Sequence, residues 1–115
     1  MTTDSLRFGT VVWLEFNFTD HRGSKQAPVV VVSCERYHAE KPDLIAARIT
    51  SRLHHKDTFG TVEVLDLQSA GLEKPSVVKP VIMTFLQRDV LRVSGQLDST
   101  TATNLRSALR TVLDL

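Results

Sequence analysis

Phe8-Gly9-Thr10-Val11-Val12-Trp13-Leu14-Glu15-Phe16-Asn17-Phe18 decides the fold class. Val12, Leu14, Phe16 and Phe18 fall on one parity, and Val11, Trp13 and Glu15 on the other. A period of two in a run this rich in aromatic and β-branched side chains predicts a strand over most of the stretch. Beyond it, residues 19–26 are polar and without periodicity, and Gly23 lies among them, so they read as a loop. Residues 28–34 form a continuous apolar run, Val29 to Val32 at its centre, that is too short for a helix. It reads as a buried central strand, which Pro28 can start because a missing N–H is tolerated there.

Further strands are predicted at residues 44–49, 61–66, 76–83 (with a kink at Pro80) and 91–94. The character changes at Asp98-Ser99, either of which can cap a helix. Ala102, Leu105, Ala108, Leu109, Val112 and Leu113 then recur at three- and four-residue intervals, with Arg106 and Arg110 on the outer side. The expectation is a mainly β fold, a small, closed or nearly closed antiparallel barrel with one C-terminal amphipathic helix packed on it.

The 115 residues fit a single domain spanning 1–115. Fourteen Lys+Arg against 13 Asp+Glu leave a net charge of +1, so any nucleic-acid site has to be a local patch. Cys34 is the sole cysteine, which excludes an intramolecular disulfide; its apolar neighbours suggest a buried, inert thiol. The first seven residues carry no apolar h-region and no apolar stretch approaches membrane-spanning length, so a soluble, cytoplasmic protein without membrane association is expected.

Three segments are polar in a way that core packing does not explain. His21-Arg22-Gly23-Ser24-Lys25-Gln26 gathers cations and a hydroxyl around a glycine, which suits either a phosphodiester grip or a solvated hairpin loop. Arg48-Ile49-Thr50-Ser51-Arg52-Leu53-His54-His55-Lys56 adds fixed cations, hydroxyls and two histidines; it suits RNA contact, an exposed charged loop or, least well, a metal. Lys74 and Lys79 either line a groove or guard an edge strand. No P-loop, dinucleotide fingerprint or nucleophile elbow is present, and neither a metal nor another cofactor is implied.

Taken together, the segments resemble the MazF/PemK toxin family over residues 9–113. Gly9-Thr10-Val11-Val12-Trp13 is similar to its opening strand, and Gly23-Ser24-Lys25-Gln26-Ala27-Pro28-Val29-Val30-Val31-Val32-Ser33 to its Gly-Ser-x-x-Arg-Pro-Val-Leu-Val-Val-Ser signature. Ile49-Thr50-Ser51 resembles its Ile-Thr-Ser stretch, and Gly71-Leu72-Glu73-Lys74-Pro75-Ser76-Val77-Val78 its Gly-Leu-x-Lys-Pro-Ser-Val-Val stretch. The resemblance implies an SH3-like barrel of the MazF/PemK/CcdB kind, paired as a homodimer with RNA in the groove between subunits. It also implies metal-independent cleavage of single-stranded RNA through a 2′,3′-cyclic phosphate, and an antitoxin partner with an acidic C-terminal segment.

By motif, Thr50 falls on the family's active-site threonine. Arg22, Ser24, Lys25, Gln26, Ser51, Arg52, His54 and Lys79 are candidate RNA contacts, with His54 or His55 as proton carrier. The family's arginine before the proline is replaced by Ala27, and Val81 stands where some relatives carry an acid. Ala27 is either natural or an inactivating substitution. It keeps a second reading open: a barrel that binds RNA or an antitoxin without cutting.

Overall fold

The computed structural model describes residues 6–17, 23–53 and 57–115. In chain order the elements are β1 (Thr10–Asn17), β2 (Ser24–Val31), α1 (Glu35–Glu40), β3 (Asp43–Thr50), β4 (Val62–Glu63), α2 (Leu67–Ala70), β5 (Val77–Leu86), β6 (Arg92–Gln96) and α3 (Ser99–Leu113). The six strands form one antiparallel sheet in the order β4-β5-β3-β2-β1-β6. The sheet is curled, and no pairing between the described residues of β4 and β6 closes it. The expected barrel is therefore a half-barrel.

Alternation along the strands sorts the core into two groups, one on each face. Val11, Val30, Ala47, Ile49 and Val78 project to one face, where Leu105 and Leu109 of α3 cover them. Val12, Leu14, Val29, Val31, Leu44 and Ala46 project to the other, closed at one end by Leu6. The sheet curls over this second face. Phe16 of β1 and Phe85 of β5 meet edge to face, with centroids 5.7 Å apart, although β2 and β3 lie between their strands in the sheet.

All six expected strands and the helix are present, but the boundaries move for definite reasons. Strand β2 begins at Ser24, so Ser24, Lys25 and Gln26 belong to a strand; their partners are Asn17, Phe16 and Glu15 of β1. Pro28 lies inside β2, opposite Trp13. Gly9 donates its amide to the Val31 carbonyl, so alternation turns the Pro28 nitrogen away from β1, toward the side on which β3 has already stopped pairing. The missing N–H is harmless there.

Cys34 does not continue the Val strand: it is the N-cap residue of α1, and it is exposed rather than buried. Of the α3 stripe, Leu105 and Leu109 are buried while Leu113 is exposed.

Polar side chains tie the short elements down. His38 of α1 is only 2% exposed. Its Nδ1 is 2.9 Å from the Leu6 carbonyl, which can only accept, so the proton sits on Nδ1. Its Nε2 accepts from Ser33 Oγ, 2.6 Å away, and that oxygen in turn accepts the Ile45 amide. Gln87 is buried beneath the same corner and donates its amide to the carbonyls of His38, Lys41 and Asp43. These bonds fix where β3 starts and where β5 ends.

Candidate nucleic-acid interface

The two suspected segments begin where β2 and β3 separate. Val29 pairs with Arg48 and Val30 with Ala47, after which β2 and β3 part. Beyond that point β2 continues as a two-stranded arm with β1, while β3 continues against β5 and sets Thr50 opposite Val77. Extending the β2–β3 register by two residues points Ala27 toward Thr50. The arm bends over the second face, as the Phe16–Phe85 contact requires, so the two stretches diverge from a common corner.

Alternation settles which side chains share that face. Val29 and Ala46 lie in the second core group, so Lys25 and Ala27 of β2 and Arg48 and Thr50 of β3 project with them. On β5, Val78 faces α3 and Met83 faces the second group, which puts Lys79 and Val81 on the same side as Thr50. The result is a row from Arg48 and Thr50 to Lys79 and Val81, and Lys25 and Ala27 project from the β1–β2 arm to the same face of the sheet. Ser24 and Gln26 are exposed, but alternation sends them to the opposite face.

Ser51 and Arg52 are exposed in the loop just past Thr50. Arg22 and His54, with His55, lie outside the described residues.

The chemistry of the row rests on one fixed hydroxyl and several cations. Thr50 Oγ1 accepts the Arg52 backbone amide at 3.1 Å, a local turn that orients the side chain. Because the oxygen is the acceptor in that bond, its own proton remains to be donated elsewhere. Arg48, Arg52 and Lys25 are exposed and Lys79 is half-buried. Among the described residues none of the four is within ion-pair distance of a carboxylate, whereas Arg36 on α1 pairs with Glu40. Such a face can bind a phosphodiester chain by charge and hydrogen bonding.

Arg48 is the residue that sequence reasoning undervalued. It stood in the second polar segment, but only strand parity shows it beside Thr50.

An open cavity of about 530 Å³ lies elsewhere, between residues 59–65 and α3. Phe59, Leu65, Asn104, Ser107 and Thr111 are among its lining residues, and no cation is, so it does not serve this interface. Among the described residues no group of three His, Cys, Asp or Glu is placed to hold a metal. No helix among them is long and apolar enough to cross a membrane.

The class of protein is given by the family that the sequence matches, and the solved structures share its curled half-barrel with a C-terminal helix. Residues 7–113 match the family described as PemK-like, MazF-like toxin of type II toxin–antitoxin systems, and the chain belongs to that family. Among solved structures, the chain is similar to a mycobacterial endoribonuclease in complex with its cognate antitoxin: 22% identity, 96% of this chain and 95% of that one covered, TM-score 0.75. It is also similar to a MazE–MazF complex from Deinococcus radiodurans, with 21% identity, 95% and 96% coverage and TM-score 0.74. The toxin MazF-mt6 of Mycobacterium tuberculosis gives 22% identity, 90% and 97% coverage and TM-score 0.70. Identities of this size speak for the fold. No curated protein sequence matches.

Proposed function

We propose that the chain is the ribonuclease toxin of a toxin–antitoxin pair, acting in the cytoplasm as a homodimer on single-stranded RNA without a metal. The observation that carries this reading is the Thr50 hydroxyl, oriented by the Arg52 amide, with Arg48 and Lys79 on the same face of the sheet. In the reaction, a ribose 2′-hydroxyl attacks the adjacent phosphorus and the 5′-oxygen of the next nucleotide leaves. A 2′,3′-cyclic phosphate and a 5′-hydroxyl are the products. Thr50 donates its proton to a non-bridging phosphate oxygen, and Arg48, Lys79, Arg52 and Lys25 hold the flanking phosphates. His54 is assigned the proton transfers, with Arg22 as a further phosphate contact.

Ala27 is the weak point of this site. A guanidinium at that position would offer a planar, permanently charged fork beside Thr50, and a methyl group offers nothing. Losing one such donor costs on the order of 10²–10³ in rate. The chain as it stands is therefore a slow enzyme, and its antitoxin binds the same cationic face through an acidic segment.

The test is incubation of long single-stranded RNA with this protein and with Ala27→Arg, in EDTA, followed by mapping of the ends. Discrete fragments with 5′-hydroxyls, produced at least about 10²-fold faster by Ala27→Arg and lost in Ala27→Arg/Thr50→Val, support the proposal. Binding without cuts in every form would favour the second reading, a non-cutting binder, for which Ala27 and Val81 are the specific observations.

A further inference from the structure

The pairing of β3 with β5 slips once, and it slips at the cationic row. Ala47 stands opposite Ile82 and Ile49 opposite Val78, so Lys79, Pro80 and Val81 together oppose the single residue Arg48. An unbroken ladder from Ile82 would instead set Pro80 opposite Ile49 and Lys79 opposite Thr50. The extra residues make a bulge, which bends a strand and re-aims its side chains. Because two residues are inserted, parity is kept, and Lys79 and Val81 both project to the face of Arg48.

The bulge is unfavourable for the row taken alone. Like charges opposite one another on paired strands destabilise them. Among the described residues no carboxylate within ion-pair distance of Arg48 or Lys79 relieves the repulsion. Something else has to hold the strand in this shape.

Pro80 is suited to do so. Its ring holds φ near −65°, whereas a regular antiparallel strand needs about −140°. Its missing amide costs nothing. The Ser76 carbonyl accepts outward from the Val64 amide, Gln87 donates inward to the Pro42 carbonyl, and alternation between these ends turns residue 80 to the outer edge. There β4 accompanies only Val77 and Val78, so no ladder bond is lost. The ring is seated from the side of α3. A Cβ on Gly60 would lie 3.1 Å from Pro80 Cγ and 2.7 Å from Val112 Cγ2, so the turn at Gly60 lies close against both.

We propose that Pro80 is a positioning residue for RNA. Seated by Gly60 and the last turn of α3, it holds the bulge that sets Lys79 beside Arg48, so that both cations grip the RNA backbone next to Thr50. Pro80 itself meets no substrate; it acts through Lys79. An anion between the two cations offsets their repulsion, which is how a strained element is kept at a binding site. This deepens the proposed function and rests on its placing of RNA on this face.

Two measurements on the whole chain test it. Pro80→Ala removes no hydrogen bond, and circular dichroism establishes that it is folded. In filter binding of a single-stranded oligoribonucleotide, Lys79→Ala should weaken binding about fivefold at 0.1 M salt relative to its effect at 1 M, the loss of one phosphate contact over a decade of salt. Pro80→Ala should weaken it about two- to fivefold, and Pro80→Ala/Lys79→Ala no more than Lys79→Ala alone. A proline with a merely structural role would lower the melting temperature and leave the Lys79 effect intact, so the two losses would multiply.

The second measurement needs no RNA. Lys79→Glu puts a carboxylate opposite Arg48 and should melt about 1–4 °C above Lys79→Gln in low salt. That gain should vanish when Arg48→Gln is added and shrink when Pro80→Ala is added. No gain, or a gain indifferent to Pro80→Ala, would overturn the positioning role, as would full RNA affinity in Pro80→Ala beside a weakened Lys79→Ala. Unchanged RNA binding by Lys79→Ala, with the melting pattern intact, would overturn instead the placing of RNA on this face, and with it the use made of Pro80.

Discussion

Asp98 shows how much one side chain contributes to this fold. Its Oδ2 accepts the Thr101 amide at 3.0 Å, and its Oδ1 accepts the Thr101 hydroxyl at 2.6 Å and the Asp66 amide at 3.2 Å. The carboxylate therefore caps α3 and ties that cap to the start of α2. Burial alone would raise its pKa, but the hydrogen bonds from Thr101 and Asp66 outweigh it and hold it below 3.8. A depressed folded value means that the stabilisation is fully present above 3.8 and is lost as pH falls through the lower, folded value. Asp98→Ala should cost about 1–2 kcal/mol in urea unfolding at neutral pH. Asp98→Asn should flatten the acid side of the stability profile; an unchanged acid slope would show that Asp98 does not titrate with folding. This cap was legible in the sequence because capping is local. The exposure of Cys34 was not, since its burial depended on where β2 ended.

Elements whose pattern is amphipathic were read correctly, and elements set by tertiary contacts were not. β1 and α3 carry their own periodicities, so their existence followed from residues alone. α1 and α2, at six and four residues, are too short for a periodic signal. Their places are set by His38 and Gln87 beneath α1 and by the contact of α2 with β6. At that second contact Gly95 is required: a Cβ there would stand 2.1 Å from the Ser69 carbonyl oxygen, a backbone atom that cannot swing away. Gly95→Ala should destabilise by about 1–3 kcal/mol, or prevent folding, because α2 must lift off β6. Gly23→Ala meets nothing within 4 Å and is strained only by its φ of +85°, so about 1 kcal/mol is expected. Comparable thermal shifts for the two variants would contradict the close packing of α2 on β6. The start of β2 was misread for a related reason. Ser24, Lys25 and Gln26 are polar, and what makes them a strand is the neighbouring β1 rather than any pattern of their own.

At the scale of the whole molecule, a net charge of +1 gives no general attraction to RNA, so the proposed binding rests on local cations, for which Arg48, Arg52, Lys25 and Lys79 are the candidates. Arg52, Lys25 and Lys79 were named from the sequence; strand parity adds Arg48 to the face of Thr50 and turns Gln26 to the opposite one. If all four meet phosphates, the affinity for single-stranded RNA should fall with salt at a log–log slope of about −0.7 per contact, near −3 for one copy. A dimer presenting both rows to one RNA should approach twice that slope. Arg48→Ala should flatten the slope by about 0.7 per copy engaged and weaken binding to all sequences alike, because phosphate contacts carry no base information. Arg36→Ala should change nothing, since Arg36 is paired with Glu40 on α1, away from the row. Filter binding of a fluorescent oligoribonucleotide across a salt series distinguishes these cases. Equal slopes for wild type, Arg48→Ala and Arg36→Ala would move the RNA off this face altogether, because a charge that contacts no phosphate releases no counterion.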